Sequence, residues 1–369
     1  MKLLRIFRDK RGQARTIDFT MSFFLFLLVT SQMVFIMFDA SRLIRSENDT
    51  TYVTIATNSQ ASMLLKNSGT LINGNDWGTD LSTDNLATFG LHSSYPGAKE
   101  TEIDPVKLMR IVPTLENYFN DSYILTYNEI REINQLLDEQ HFTLSIRTPL
   151  NMDLEILGSS TLNASLTYLT GTSIENANVS FFYYDGNNWN TMRNNTNSNG
   201  LATVNTGASD IQIAIAVGWK NHLWSISFID DENFTRDQNM PIFINQINNT
   251  FARFMTNTTY YSNFNDVSLE LLSGVTQRTT MTNVIIENTD FIVAGSNATA
   301  VNETIATGVT IAVIFNSTHY NFQTTPALLD DTVNPHLGQT PTNAEAIVES
   351  IVSICRGVCI LIEYTYSEY

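Results

Sequence analysis

Hydrophobic positions along the chain fall into three textures. From Phe19 to Phe38 they form an apolar run without a charge, and about 20 such residues suffice to cross a bilayer as a helix. Ser41 to Lys66 contains neither Gly nor Pro, and Asn67-Ser68-Gly69 supplies a stop signal. A helix from Phe19 to Lys66 would be about 70 Å long at ~1.5 Å per residue, half in lipid and half projecting. The second texture covers residues 70–150. A loop runs from Asn75-Asp76-Trp77 to Phe89-Gly90-Leu91. Helical segments open at Ile103-Asp104-Pro105 and at Asn128, and Phe142 to Ile146 alternates like a strand. The third texture, residues 155–230, consists of short alternating segments. Leu162, Ala164, Leu166 and Tyr168 share one face, opposite Asn163, Ser165 and Thr167. Asn178 to Tyr184 leads into a turn at Asp185-Gly186. Ile211, Ile213, Ile215 and Val217 alternate, and Trp224, Ile226 and Phe228 alternate back. Strands at this spacing predict a β-sandwich.

Residues 231–369 continue in a β-rich manner. Phe251 to Met255 fits either helix or strand, while Val309, Ile311, Val313 and Phe315 alternate. Thr342-Asn343-Ala344-Glu345 fits a capping box, and Ile347, Ile351, Ile354 and Cys355 then form the apolar face of an expected helix. Gly357 ends it, and Val358 to Tyr364 reads as a final strand, while the β-rich region at 231–335 is expected to share a sheet with the strand at Phe142. The expected fold class is therefore α+β: a long N-terminal transmembrane helix followed by an extracellular β-rich head. The expected divisions are a leader at 1–12, the helix at 13–67, an α+β module at 70–150, the sandwich at 155–230 and a β-rich region with terminal helix and strand at 231–369.

Charge orients this arrangement. Lys2, Arg5, Arg8, Lys10, Arg11 and Arg15 flank the apolar run on its N-terminal side, which keeps that end cytoplasmic and places everything after Asp39 outside the cell. Residues 46–369 carry 12 basic against 34 acidic residues, a net charge of −22. Such a surface repels phosphate backbones, so nucleic acid is not an expected partner. Eleven Asn-x-Ser/Thr sequons occur: Asn48, Asn120, Asn163, Asn178, Asn194, Asn233, Asn248, Asn257, Asn297, Asn302 and Asn316. Their number is close to chance for so Asn- and Thr-rich a chain. They count as N-glycosylation candidates because an exterior location exposes them.

The stretch Lys10-Arg11-Gly12-Gln13, followed by Asp18 and the apolar run, resembles the type III signal of archaeal type IV pilin-like proteins. The resemblance implies cleavage by a prepilin-type signal peptidase between Gly12 and Gln13, with the apolar segment retained. It departs in one detail: the family carries its acid at the fifth mature position, and Asp18 would be the sixth. Asp18 then has two readings, pairing with the new N-terminus of a neighbouring subunit to set register, or capping the helix. Gln32, in mid-membrane, points to association with another helix. The order of Trp77 loop, Gly90-Leu91, Pro105-Val106-Lys107-Leu108 and the strand at Phe142 resembles the membrane-proximal module of archaeal pilin-like ectodomains. Ile174 to Val179 together with Asn199-Gly200-Leu201-Ala202-Thr203 resembles exterior Ig-like or transthyretin-like modules, which are mostly spacers or binding units.

Signatures of catalysis are missing from the sequence. It contains no Gly-x-Ser-x-Gly, His-Glu-x-x-His or P-loop. Cys355 and Cys359 are too few for a tetrahedral zinc site, leaving two readings: buried thiols, or a local disulfide if Gly357 bends the chain. No metal or cofactor is expected. Trp189, just after a turn, is the candidate for an exposed ring that stacks on surface glycans. The leading expectation is a non-enzymatic pilin-like surface protein, a minor or tip subunit of a type IV pilus-like filament with lipid bilayer and other pilin-like subunits as partners. The alternatives are a stand-alone, single-pass surface binding module and, behind it, a surface hydrolase.

Overall fold

A computed structural model of the chain describes residues 33, 54–55, 57–78, 86–116, 124–136, 140–231, 234–237, 240–248, 251–257, 268–273, 281–285, 298–304, 308–329, 334–339 and 347–368. Residues 57–66 are helical and stop at Asn67-Ser68-Gly69, where Gly69 takes φ +68°. Strand β1 (Thr70–Leu71) pairs with β2 (Leu86–Thr88). A short helix, Pro105–Met109, begins at Asp104, whose side chain accepts from Val106 N, and Pro105 suits a first helical position that has no partner for an N–H. A second helix, Tyr127–Ile133, is closed by the Thr126/Glu129 capping box. Tyr127 packs on Phe142 of β3 (Gln140–Arg147), with ring centroids 5.0 Å apart.

Seven strands follow: β4 (Leu150–Leu157), β5 (Thr161–Tyr168), β6 (Asn178–Tyr184), β7 (Trp189–Asn195), β8 (Leu201–Asn205), β9 (Ile213–Lys220) and β10 (Leu223–Asp230). They form two antiparallel sheets, β4-β5-β8 and β10-β9-β6-β7. This is an Ig-like β-sandwich. Its core is built from the inward residues of both sheets, among them Leu162, Ala164, Leu166, Val179, Phe181, Ala214 and Ala216. The polar alternates on β4 and β5 point the other way, as a period of two requires.

Next come β11 (Thr235–Arg236), β12 (Phe243–Asn248), β13 (Phe251–Asn257), β14 (Ser268–Ser273), β15 (Met281–Ile285), β16 (Ala298–Thr304), β17 (Thr310–Phe315) and β18 (His319–Thr325). They form a five-stranded sheet, β11-β18-β17-β14-β15, and a three-stranded one, β12-β13-β16. The five-stranded sheet covers the outer face of β10-β9-β6-β7. Phe315 sits 5.1 Å from Tyr184 and 5.8 Å from Trp189 between ring centroids, and Phe322 sits 4.9 Å from Phe228. That covering explains why β9 is buried on both faces from Ile213 through Val217.

The chain returns through β19 (Leu337–Gly338) and ends in a hairpin of β20 (Ile347–Cys355) and β21 (Val358–Glu368), giving the sheet β19-β3-β21-β20. Thus β3, which leads directly into the sandwich, pairs along its length with the final strand, from Arg147↔Leu361 to Gln140↔Glu368. The hairpin also holds the sandwich: Trp224 Nε1 donates to Cys359 O at 2.8 Å, and Cys359 N donates to His222 O at 2.9 Å.

Two expectations are corrected. Among the described residues, those in strands far outnumber those in helices, so the fold is mostly β rather than α+β. No helix among the described residues is long and apolar enough to cross a membrane, and the run Phe19 to Phe38, Met33 apart, lies outside them. The expected helix over Ile347, Ile351, Ile354 and Cys355 is instead strand β20. A spacing of four is even, so Ile347, Ile351 and Cys355 share a face in a strand as well as in a helix, while Ile354 falls on the other face. The β-branched run Ile351-Val352 and pairing with β21 decide for the strand.

Candidate functional site

Of the sandwich's two outer faces, one is covered and the other is open among the described residues. Alternation on β4 turns Asn151, Asp153 and Glu155 outward, and all three are exposed. On β5 the outward residues are Asn163, Ser165 and Thr167, and on β8 Thr203 and Asn205. Register places Glu155 beside Asn163 and Asn163 beside Thr203. Their side chains form a hydrogen-bonded row across the sheet. Asn163 Nδ2 donates to Glu155 Oε1 at 2.6 Å, and Thr203 Oγ1 donates to Asn163 Oδ1 at 2.7 Å. The result is a flat surface of amides and hydroxyls with two carboxylates, Asp153 and Glu155, able to exchange hydrogen bonds with a polar ligand.

The glycan-stacking candidate is not on it. Trp189 is only 8% exposed, and its ring lies against Tyr184, at 5.8 Å, and Phe315. The expectation of a free ring is corrected. The turn before Trp189 does lead into a strand, but the strand's outward side meets the five-stranded sheet, which no local pattern announces. Among the sequons, Asn178 and Asn194 are exposed and Asn163 is half-buried. The Asn194 Nδ2 donates to Thr203 O at 2.7 Å. Asn316 is also corrected as a glycan site. It is 8% exposed, and its Oδ1 accepts from the backbone N of Thr318 and His319 at 2.9 and 2.8 Å, closing the β17–β18 turn. Only the backbone of Asn248, Asn257 and Asn302 is described, on β12, β13 and β16. Asn48, Asn120, Asn233 and Asn297, together with Gly12, Gln13, Asp18 and Gln32, lie outside the described residues.

Cys355 and Cys359 are free thiols. Cys355 pairs with Val358 and Cys359 with Ile354 across the hairpin, so alternation sends the two sulfurs to opposite faces of the sheet. A local disulfide does not suit that geometry. Burial raises the pKa of both thiols, Cys355 with a further push from Asp104.

Residues scattered through the second texture of the sequence converge into one polar cluster. Lys107, fully buried, donates from Nζ to Ser68 O at 2.5 Å, to His92 O at 2.9 Å and to Asp76 Oδ2 at 2.9 Å. Arg110, also buried, donates to Trp77 O. Both cations lie over the Trp77 ring, 5.8 and 5.4 Å from its centroid, where the ring quadrupole favours positive charge. Trp77 Nε1 donates to Gly90 O at 2.9 Å. Gly90 has no room for a side chain, since a Cβ would lie 2.0 Å from Asn67 O. Burial lowers the Lys107 pKa against the opposing pull of Asp104 and Asp76, and burial raises that of Asp104. Sequence order singled out Trp77, Gly90, Pro105 and Lys107. It held no sign that Asp76 and Arg110 would join them.

No family model matches the chain, and no curated protein matches it. Among solved structures, a two-domain fibronectin type III segment from chicken tenascin aligns at 8% identity, covering 48% of this chain and 97% of that one, with a TM-score of 0.17. A tetra-tandem repeat from the extending region of a large adhesion protein also aligns at 8% identity. It covers 57% of this chain and 52% of that one, about half its length, with a TM-score of 0.19. Superpositions at those scores carry no argument. The sandwich is assigned from this chain's own strand order, registers and core.

Proposed function

We propose that this chain is a cell-surface binding module that uses the outer face of β4-β5-β8 for contact, without turnover. The observation behind this reading is the asymmetry of the sandwich. One sheet is covered by a second sheet, while the other presents Asp153, Glu155, Asn163, Ser165, Thr167 and Thr203 to solvent. An array of amides, hydroxyls and few charges suits a neutral polyhydroxylated ligand, so neutral surface glycans are the proposed partner class. The apolar run Phe19 to Phe38 with its basic flank supports tethering of the acidic body to the outside of a membrane. The test is binding of the full-length protein, held in lipid nanodiscs, to an array of immobilised neutral oligosaccharides. Binding should drop at least tenfold in Thr203→Arg and in Asp153→Lys. No binding by the parent, or equal binding by these variants, would contradict the reading.

A second reading, a pilin-like filament subunit, draws on one observation: the residues that carry the resemblance, Trp77, Gly90 and Lys107, lie together in one buried cluster. Sequencing the mature N-terminus tests it. A chain beginning at Gln13 and recovered in fibres supports the filament. A chain beginning at Met1 and recovered as single subunits removes it.

A further inference from the structure

The cluster around Lys107 sets two carboxyl groups beside one buried amine. Asp104 caps the Pro105–Met109 helix through Oδ1, and its Oδ2 joins Asp76 and Lys107 at residue 78. Asp104 Oδ2, Asp76 Oδ1 and Lys107 Cε converge on the backbone of residue 78, where a Cβ would lie 2.9, 3.0 and 3.0 Å from them. Their approach is possible because that residue is Gly78. Lys107 is fully buried, and the Asp76 side chain is only 11% exposed. The Trp77 ring and the Arg110 guanidinium close the cluster on one side.

We propose that Lys107 and Asp76 condense into an intramolecular isopeptide bond, with Asp104 moving the protons. In a site of low polarity an ammonium–carboxylate pair and a neutral amine–acid pair lie closer in energy than in water, because the neutral pair escapes the desolvation penalty. Proton transfer across the 2.9 Å contact gives a neutral Lys107 amine beside a protonated Asp76 carboxyl. The amine lone pair attacks Asp76 Cγ. The C–N bond forms, the proton held by Asp104 passes to the departing hydroxyl, and the C–O bond breaks to release one water. Asp104 regains a proton from the new amide nitrogen, so it is unchanged overall and no oxidant or reductant is needed. Burial keeps Asp104 protonated above the usual carboxylate range and makes Lys107 easier to deprotonate. Holding an amine against a carboxyl also removes the entropic cost of bringing them together. The product ties the Trp77 loop to the Pro105–Met109 helix, a link suited to a surface module that bears load.

The full-length protein, purified and allowed to age, is denatured and digested with trypsin. Condensation predicts a branched product in which Asn67–Lys99 is joined to Glu100–Arg110 at the summed mass less one water, with no cleavage after Lys107. Lys107→Arg and Asp76→Ala should each abolish it, and Asp104→Asn should lower the linked fraction at least tenfold at equal age. Recovery of all material as linear Asn67–Lys99 and Glu100–Lys107 at unmodified mass would overturn the proposal and leave an ion pair. Linking in Asp104→Asn as fast as in the parent would overturn the role given to Asp104. The parent digest decides the main point without any variant having to fold.

Discussion

Phe182 distinguishes a layered head from a sandwich that stands alone. It lies on β6 between Thr191 of β7 and Ile215 of β9, and it is absent from the sandwich core, whose β6 contributors are Val179, Phe181 and Tyr183. It therefore faces outward from the sandwich, yet it is fully buried. In an isolated sandwich, truncating an outward residue would change stability by less than about 0.5 kcal/mol. Here Phe182→Ala removes a ring packed beneath a second sheet, and such truncations cost about 3–5 kcal/mol. At tenfold per ~1.4 kcal/mol, that lowers the folding equilibrium constant by two to nearly four orders of magnitude. With a urea dependence of about 3 kcal/mol/M, the midpoint should fall by ~1–1.7 M. Intrinsic fluorescence reads this, since Trp189 lies in the same layer against Phe315. Thr191→Ala, at the exposed neighbour on β7, should leave the midpoint within about 0.2 M of the parent. A Phe182→Ala shift as small as that of Thr191→Ala would refute the covered-sheet arrangement.

Other consequences follow from the buried cluster and the hairpin. Gly90→Ala places a Cβ 2.0 Å from Asn67 O, and overpacking of this kind should cost about 1–3 kcal/mol by urea denaturation. Asp104 holds its proton above the ordinary 3.8 when folded. The stabilisation it contributes is complete below that value and is lost as pH rises through the raised one. Asp104→Asn keeps an oxygen to cap the helix but does not titrate, so the melting temperature of the parent minus that of the variant should decline with rising pH over that window. A flat difference would contradict the shift. Both cysteines should react as free thiols in denaturant without reductant, with Cys359 the faster in the folded protein. A mass lower by two hydrogens would show the disulfide instead.

Legibility in the sequence followed locality. The sandwich could be read because Leu162, Ala164 and Leu166 alternate strictly with Asn163, Ser165 and Thr167, and because Asp185-Gly186 marks a turn that the structure builds with Asp185 Oδ1 accepting from Asn187 and Asn188 N. The polar face was legible for the same reason. The β20 strand was misread because Ile347, Ile351 and Cys355 satisfy both periods, and only pairing with β21 separates them. Trp189 was misplaced because its cover, Phe315, lies far along the chain. The Lys107 cluster joins residues from Ser68 to Arg110, and its charges meet only when the Trp77 loop folds over the Pro105–Met109 helix.

The account rests on the outer face of β4-β5-β8 being displayed to the exterior, and cysteine labelling on intact cells tests that claim. In a Cys355→Ser, Cys359→Ser background, Thr203→Cys places a single thiol on that face of the full-length protein. A membrane-impermeant maleimide should label it without permeabilisation, while Phe182→Cys in the same background should label only after denaturation. Thr203→Cys labelling that appears only once the cells are lysed would contradict exterior display.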